Sequence, residues 1–263
     1  MKDPLISSNE IVKELNLDIR VSSRTVRHHL NKELGLKAYK PAKKPLLSVK
    51  NIKDRMNFCK KFKDWTPEMW SSVLFSDEVK MVQFSGAKQY IRRPSSQRYN
   101  PKYTVKCVKN PPSIMVWGCM SAKGRGSLWF LPKNETINAN KYLEVLKEKL
   151  PIFMPILNCK IFQHDGAPAH RAKIVSAWLR TNKIDVLPNW PGNSPDINVI
   201  ENCWSLLKKK VADKHPGSIQ ELIDAIKLTW TTEITPEYCQ QLVKSIPKRL
   251  AQIIANKGNP CKY

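Results

Sequence analysis

The first 37 residues carry the hydrophobic spacing of two short helices joined by a tight turn at 16–18. Ser7 and Glu10 have the form of a capping box that begins the first helix. The second helix is expected to begin at 22–23 and to end at Gly35. Its apolar residues are spaced four apart and are expected to face a core: Val26, Leu30 and Leu34. The pattern predicts a small all-α module.

From residue 67 onward, strand patterns come first and helical patterns follow. Strands are predicted over 72–76, 79–84, 114–120, 127–131, 159–163 and 184–187. Helices are predicted over 140–150, 172–181 and 195–214 in this region, and over 51–64 before it. This order favours an α/β domain over 67–263, with a mixed sheet flanked by helices. Residues 38–66, which are rich in Pro and Lys and then helical, are interpreted as a basic linker and helix.

The charge of the chain indicates its class of partner. Lys and Arg total 45 against 22 Asp and Glu, so the net charge is +23. Such an excess points to a polyanion, and nucleic acid is favoured over a merely basic protein without such a partner. A membrane partner is not expected, because no apolar run approaches the ~20 residues that span a bilayer. A DNA partner would place the protein in the nucleus of a eukaryotic cell.

The seven cysteines narrow the alternatives further. They are scattered, odd in number and without close pairs, which argues against a zinc ribbon or a secreted disulfide framework. We expect reduced thiols, most of them packed in the protein.

The second N-terminal helix presents a basic and amide-bearing outer face, as a helix-turn-helix does toward the major groove of double-stranded DNA. The candidate DNA contacts on this face are Arg24, Thr25, Arg27, His28, Asn31 and Lys32. In the linker they are Lys43 and Lys44. A solvated basic helix pair is the alternative interpretation.

Residues 85–112 differ in character from their surroundings. They hold basic residues interleaved with tyrosines and no acidic residue, a composition that suits phosphate contacts and base stacking. The candidate DNA contacts in this insertion are Arg92, Arg93 and Arg98. A solvated hairpin remains the alternative.

Two aspartates follow predicted buried strands in the same setting. Asp77 follows 72–76 and Asp165 follows 159–163. Carboxylates at strand ends are held at the rim of a sheet, where open α/β sheets bind substrates. Either one alone could be a turn residue, whereas the two together indicate a site.

The third candidate carboxylate is Glu201, on the long helix predicted from Pro195. Its helical position falls beside the apolar stripe, where a glutamate is costly unless it is paired or bound to a metal ion. Pairing with Lys208 or Lys209 is the alternative. The competing acid, Asp196, is assigned to capping of this helix.

Three carboxylates in a strongly basic chain suit Mg²⁺ or Mn²⁺, hard ions that take oxygen ligands and leave room for phosphates. Two such ions can support an in-line phosphoryl displacement, with water or a DNA 3′-hydroxyl as the attacking group. Asp77, Asp165 and Glu201 are therefore the candidate metal ligands and catalytic residues of a DNA-cutting and DNA-joining enzyme.

Four segments, 70–78, 114–119, 162–170 and 190–204, resemble the Tc-like branch of the mariner superfamily of DNA transposases. The resemblance implies an RNase H-like catalytic fold, Mg²⁺-dependent excision and insertion, and a homodimer in the synaptic complex. It implies the catalytic triad Asp77, Asp165 and Glu201. It also places His170 near the site, as a neighbour of the ligands rather than a ligand.

The chain departs from the family pattern in three places. There are 35 residues between Asp165 and Glu201, one more than is usual in that branch. Residues 109–112 stand where many relatives have a glycine-rich strip. The first helix-turn-helix and the opening helix of the second are absent, so weak recognition of transposon ends is expected. A catalytically inactive or domesticated DNA-binding protein, and an RNase H-type nuclease acting on RNA–DNA hybrids, are the rival functions.

Overall fold

The computed structural model of the chain describes residues 6–15, 21–39, 46–83, 92–104, 109, 111–132 and 135–261. The chain divides into two units, Met1–Lys44 and Pro45–Tyr263. Within the described ranges, no helix is both long and apolar enough to cross a membrane. The predicted turn at 16–18 and the linker residues Lys43 and Lys44 lie outside the described residues.

The first unit contains the two predicted helices, α1 (Ser8–Leu15) and α2 (Ser23–Lys32). The capping box of α1 is confirmed, since the Ser7 N–H donates to the Glu10 carboxylate at 2.8 Å and the Glu10 N–H to Ser7 Oγ at 3.3 Å. Val26 is buried as predicted, but the prediction for Leu34 was wrong, because that side chain is 66% exposed. Helix α2 ends at Lys32, two residues before Leu34, so Leu34 falls outside the helical register.

The second unit is built from helices and strands in mixed order. The helices are α3 (Val49–Phe62), α4 (Pro67–Ser71), α5 (Ala139–Ile156), α6 (Lys173–Thr181), α7 (Ile200–Ala212), α8 (Ile219–Glu233), α9 (Pro236–Lys244) and α10 (Ile246–Ala255). The strands are β1 (Val73–Val82), β2 (Ser113–Ser121), β3 (Gly124–Arg125), β4 (Trp129–Phe130), β5 (Ile161–Gln163) and β6 (Asp185–Val186). Short 3₁₀ turns cover Ser95–Gln97 and Pro101–Tyr103.

The strands form one mixed sheet in the order β3-β2-β1-β5-β6, with β4 paired to β2. β1 is antiparallel to β2 and parallel to β5, which is parallel to β6. The predicted strands 72–76 and 79–84 are a single strand, because pairing with β2 continues without a break through Asp77 opposite Gly118. The prediction that Asp77 follows a strand was therefore wrong, and it lies inside β1.

Side chains that alternate along the central strands fill two separate cores, one on each face of the sheet. Leu74 and Trp117 belong to the core beneath α5 and α6. Phe75 and Val116, their neighbours in sequence, belong to the larger core that includes residues of α3 and α7–α10. Each face of the sheet is thus covered by helices, as the sequence pattern predicts. Cys59, Cys119, Cys159, Cys203 and Cys239 are buried free thiols, which confirms the expectation for them.

In the second unit, the largest differences from the predicted helix boundaries are in α5 and α7. α5 continues through Pro151 and Pro155 to Ile156. Each proline removes one backbone hydrogen bond, but Phe153 and Met154 pack against the core and offset the loss. α7 begins at Ile200 rather than Pro195, and the preceding residues form turns that lead Asp196 into the protein interior.

The close approach of β2 to α7 at Gly118 leads to a stability prediction. A methyl group at this position would lie 2.6 Å from Cη2 of Trp204 and 3.0 Å from Cδ2 of Leu128. We expect Gly118→Ala to lower the free energy of unfolding by about 1–3 kcal/mol, the usual cost of overpacking a core. Urea denaturation followed by circular dichroism measures this change.

Gly217→Ala is the matched control. There the added methyl group would have its nearest contact at 3.5 Å, the ordinary van der Waals range. The control should stay within about 0.5 kcal/mol of the parent protein, as most surface substitutions do. Equal stability of the two variants would contradict the packing argument.

Candidate active site

The three predicted carboxylates line one cleft of about 450 Å³ near the C-terminal end of β5. Asp77 comes from β1, Asp165 from the loop after β5, and Glu201 from the first turn of α7. Residues 190–195 form much of the remaining wall. The fold therefore brings together acids that are 88 and 36 positions apart along the chain, from 77 to 165 and from 165 to 201.

Asp77 is held rigidly because it lies within a paired strand. Its Oδ2 accepts a hydrogen bond from Nε1 of Trp204 at 3.3 Å. Burial raises the pKa of Asp77 to about 8, and the negative charges of Glu201, Glu78 and Asp165 add to the shift. The surrounding protein therefore supplies too little positive charge to stabilise the ionised form of Asp77.

Asp165 is oriented by two donors on the same oxygen. The Ala167 N–H donates to Oδ1 at 2.9 Å, and Nδ1 of His170 lies 2.6 Å from that atom. Burial acts to raise the pKa of Asp165, but these contacts outweigh it and hold the pKa below its ordinary value. Oδ1 is therefore engaged by the protein, while among the described residues no hydrogen bond or ion pair reaches Oδ2.

His170 supplies a positive charge between two acids. Its Nε2 lies 3.3 Å from Oε1 of Glu78, close enough for charge attraction although that oxygen makes no hydrogen bond to a described residue. Burial acts to lower the pKa of His170, but the hydrogen bond with Asp165 and the negative charges of Glu78 and Asp165 raise it to about 9. The ring stacks on Tyr142 with centroids 3.8 Å apart.

Sequence reasoning missed both supporting residues, Glu78 and Tyr142. Glu78 adjoins Asp77 in a strand, and a second acid in a half-buried strand is the signal that could have identified it. Tyr142 gave no signal of its own, because it occupies an apolar helical position in α5. The fully buried Tyr142 hydroxyl lies 3.0 Å from Nδ1 of His164, whose pKa is lowered by burial to about 4.

Glu201 is half-buried near the start of α7. Burial raises its pKa, while the charge of Lys208 and a hydrogen bond with Asp77 act in the opposite direction. No ion pair joins Glu201 to Lys208 or Lys209 among the described residues. Its carboxylate lines the cleft, which favours the site interpretation over the surface pair.

The assignment of Asp196 to capping was wrong, because its carboxylate forms a buried ion pair with Arg55 of α3. Both carboxylate oxygens accept from the guanidinium, at 2.7 and 2.6 Å, and Arg55 is fully buried. The same guanidinium donates to Ser194 Oγ and to the Gly258 carbonyl oxygen. The Cys261 N–H also donates to Asp196, at 3.0 Å.

A second arginine extends this network to the residue after Glu201. Arg249 of α10 donates to the Asp196 carbonyl oxygen at 3.0 Å and to Oδ1 of Asn202 at 2.9 Å. Residues on either side of Glu201 are therefore tied to the same buried network. This arrangement fixes the start of α7 against α3, α10 and the C-terminal residues.

The donor set of the cleft suits a hard divalent cation. The three acids offer oxygen ligands, and the crowding that raises the pKa of Asp77 would be relieved by positive charge. Within the described ranges, no three His, Cys, Asp or Glu side chains stand close enough to enclose an ion. Side chains of these residues alone would not enclose a divalent cation, so substrate phosphates would have to supply further ligands.

The predicted DNA-contacting side chains are exposed where the structure describes them. These are Arg24, Thr25, Arg27, His28, Asn31 and Lys32 on α2, and Arg92, Arg93 and Arg98 near the first 3₁₀ turn. Thr25 has a local role as well, since its backbone and hydroxyl contact Ser22 Oγ at the helix start. Arg98 lies over the ring of Tyr99, 5.5 Å from its centroid.

Comparison with known families matches both parts of the chain. A family described as "Transposase" matches residues 1–64, and one described as "DDE superfamily endonuclease" matches residues 72–223. The Tcb1 transposase of Caenorhabditis briggsae is 34% identical, over 92% of this chain and 88% of its own length. The Tc1 transposase of Caenorhabditis elegans is 30% identical over the same shares of the two chains.

Solved structures agree with the fold. The Mos1 strand transfer complex gives a TM-score of 0.83 at 19% identity, over 99% of this chain and 76% of that one. The mariner Mos1 paired-end complex with Mg gives 0.83 at 18% identity, over 99% and 77%. The fold is therefore the RNase H-like mixed sheet that the sequence resemblance implies.

The buried Arg55–Asp196 pair leads to a prediction with a defined pH dependence. We expect Asp196→Asn to lower the free energy of unfolding by about 3–5 kcal/mol at neutral pH, because Arg55 loses its buried counter-charge. Burial acts to raise the pKa of Asp196, but Arg55 and the Cys261 N–H hold it below its ordinary value. The stabilisation is thus present above the carboxyl's unfolded pKa and is lost as pH falls through the lowered folded value.

Urea titrations at neutral and acidic pH measure the difference between parent and variant, which should shrink in acid. Asp213→Asn, at the exposed end of α7, is the control and should change stability little at either pH. If Asp196→Asn does not fold, the double variant Arg55→Met/Asp196→Leu should fold, since it leaves no charge unpaired. A loss of the same size at both pH values would refute the ion-pair explanation.

Proposed function

The chain belongs to the Tc1/mariner family of DDE transposases, and we propose that it cuts and joins DNA at Asp77, Asp165 and Glu201. The observation that carries the proposal is the convergence of these acids, from three separate elements, on one cleft. We propose Mg²⁺ or Mn²⁺ as the cofactor, with two ions held by the three carboxylates. Structures of the related Mos1 transposase contain Mn or Mg, which supports this choice.

When bound, the ions would supply activation of the attacking oxygen and stabilisation of the leaving oxygen in an in-line phosphoryl displacement. The protein's own part is to hold ligands in place. Trp204 fixes Asp77 by a hydrogen bond, and the Ala167 N–H and His170 fix Oδ1 of Asp165. Because Oδ1 is held in place, the orientation of the other carboxylate oxygen of Asp165 is fixed as well. Little reorganisation is therefore needed when a cation binds.

His170 also sets the charge balance of the cleft. Its positive charge, between Asp165 and Glu78, compensates part of the negative charge that the carboxylates bring. We assign it a positioning role rather than a ligand role, because both ring nitrogens already face acids. Tyr142 supports the ring from one face.

We propose double-stranded DNA as the partner, both as transposon ends and as target. The net charge of +23 and the exposed basic face of α2 support this assignment. Related Mos1 complexes are described as paired-end complexes with a transposon end. By analogy we propose a homodimer that pairs two ends, and a nuclear location where the DNA would be found.

The catalytic assignment is tested by single substitutions that keep side-chain shape. Asp165→Asn and Glu201→Gln each remove a negative ligand, so we expect Mg²⁺-dependent cleavage to fall by at least about a hundredfold, as loss of a contact that orients a ligand can already do. DNA affinity should change little. Cleavage and strand joining are measured on a duplex that carries the terminal sequence of the element that encodes the chain.

Asp213→Asn is the control, since this acid is exposed at the end of α7 and away from the cleft. Undiminished cleavage by Asp165→Asn would sink the assignment. DNA binding without cleavage by the parent protein, in Mg²⁺ or Mn²⁺, would indicate a DNA-binding protein that has lost its activity. Preferential cleavage of RNA–DNA hybrids would indicate an RNase H-type nuclease.

A further inference from the structure

A second cavity of about 450 Å³ lies beside the carboxylate cleft, on the side of His164 and His170. Its lining includes three basic side chains near the two ends of α6, Arg171, Arg180 and Lys183, and one acid of β6, Asp185. All four are exposed. The cavity is therefore a cationic hollow open to solvent.

The three basic side chains are not neutralised by the protein. Within the described ranges none of them forms an ion pair, and Asp185 pairs with none of them. Elsewhere on the same unit, the half-buried Lys141 pairs with Glu135 and Glu144. Positive charge around this cavity is thus left available to a ligand.

The helix dipole of α6 accounts for only two of these three cations. Arg180 and Lys183 lie at its C-terminal end, where the helix dipole favours positive charge. Arg171 lies before its N-terminal end, where the dipole disfavours a cation, and the helix start has no side-chain cap there. Positive charge at both ends of one helix is better explained by an anion in the cavity between them.

The position of the cavity indicates which anion. His170 lines it and at the same time contacts Asp165 of the cleft at 2.6 Å, so the two spaces adjoin through one ring. The rings of His164 and His170 are stacked 5.3 Å apart. Each strand of duplex DNA carries one phosphate per roughly 3.4 Å of axis, so a strand with a phosphate at the carboxylates has others within reach of the cavity.

We propose that Arg171, Arg180 and Lys183 form a binding site for a backbone phosphate next to the one that is cut. The site rests on the proposed function, because it requires a DNA strand in the carboxylate cleft. It would bind one phosphodiester of that strand and set the register of the strand relative to Asp165. Guanidinium groups suit this task because they donate paired hydrogen bonds to phosphate oxygens.

The test combines protein variants with DNA in which single phosphates are replaced by uncharged methylphosphonates on either side of the cut. The probe is a duplex with the terminal sequence of the element that encodes the chain. With the parent protein, we expect one position near the cut to lower affinity by about tenfold, the effect of losing a hydrogen bond to a charged group. In the triple variant Arg171→Gln/Arg180→Gln/Lys183→Gln, the loss at that position should disappear.

The charge-matched control is Lys147→Gln/Lys244→Gln/Lys248→Gln, which removes three exposed lysines from α5, α9 and α10. This control should bind DNA more weakly at every position but keep the parent's profile of losses. Thermal unfolding checks that both triple variants remain folded, as expected for exposed positions.

Persistence of the loss at the same methylphosphonate position in the Arg171/Arg180/Lys183 variant would overturn the proposal, as would no position-dependent loss with the parent protein. Cleavage is followed separately in the same complexes. If the parent binds DNA but does not cut it, the proposed function fails, whereas the profile of binding losses still decides whether the cavity holds a phosphate.

Discussion

The buried ion pair between Arg55 and Asp196 is the interaction on which the active centre depends. Removing two charges from water costs several kcal/mol each, and a pair is tolerated only when its remaining hydrogen-bonding groups are also satisfied. Here the guanidinium donates to the Asp196 carboxylate, to Ser194 and to the Gly258 carbonyl oxygen. The pair therefore demands one arrangement of α3, the loop before α7 and the C-terminal residues. That arrangement places Glu201 in the cleft.

The carboxylate cleft has the opposite electrostatic character, since it gathers charge that the protein compensates only in part. Asp165 has the positive charge of His170 beside it and keeps a pKa below its ordinary value. Asp77 has an indole N–H and three neighbouring acids, and its pKa is raised to about 8. The two aspartates thus differ in how much they depend on an added cation. Asp77 is the one whose ionised form depends more on a bound cation.

The mixed sheet and the presence of the three acids in one cleft could be predicted from the sequence. Alternating and helical hydrophobic spacing marks the strands and helices, and the family resemblance selects the carboxylates. It could not predict that Asp77 lies inside β1, because strand continuity there comes from pairing with Gly118 of β2, far away in the chain. Nor could it predict the partner of Asp196, since Arg55 is 141 residues away. Errors arose where a distant contact overrides the local pattern.

A cleft that concentrates negative charge repels the phosphates on which it is proposed to act. Two features of the protein offset this repulsion from either side. His170 places a positive charge against Asp165, and on its other side the cavity with Arg171, Arg180 and Lys183 carries unpaired cations. The histidine ring thus separates a space suited to metal ions from a space suited to phosphate. Because both spaces adjoin the same ring, a displacement of His170 would disturb both of them.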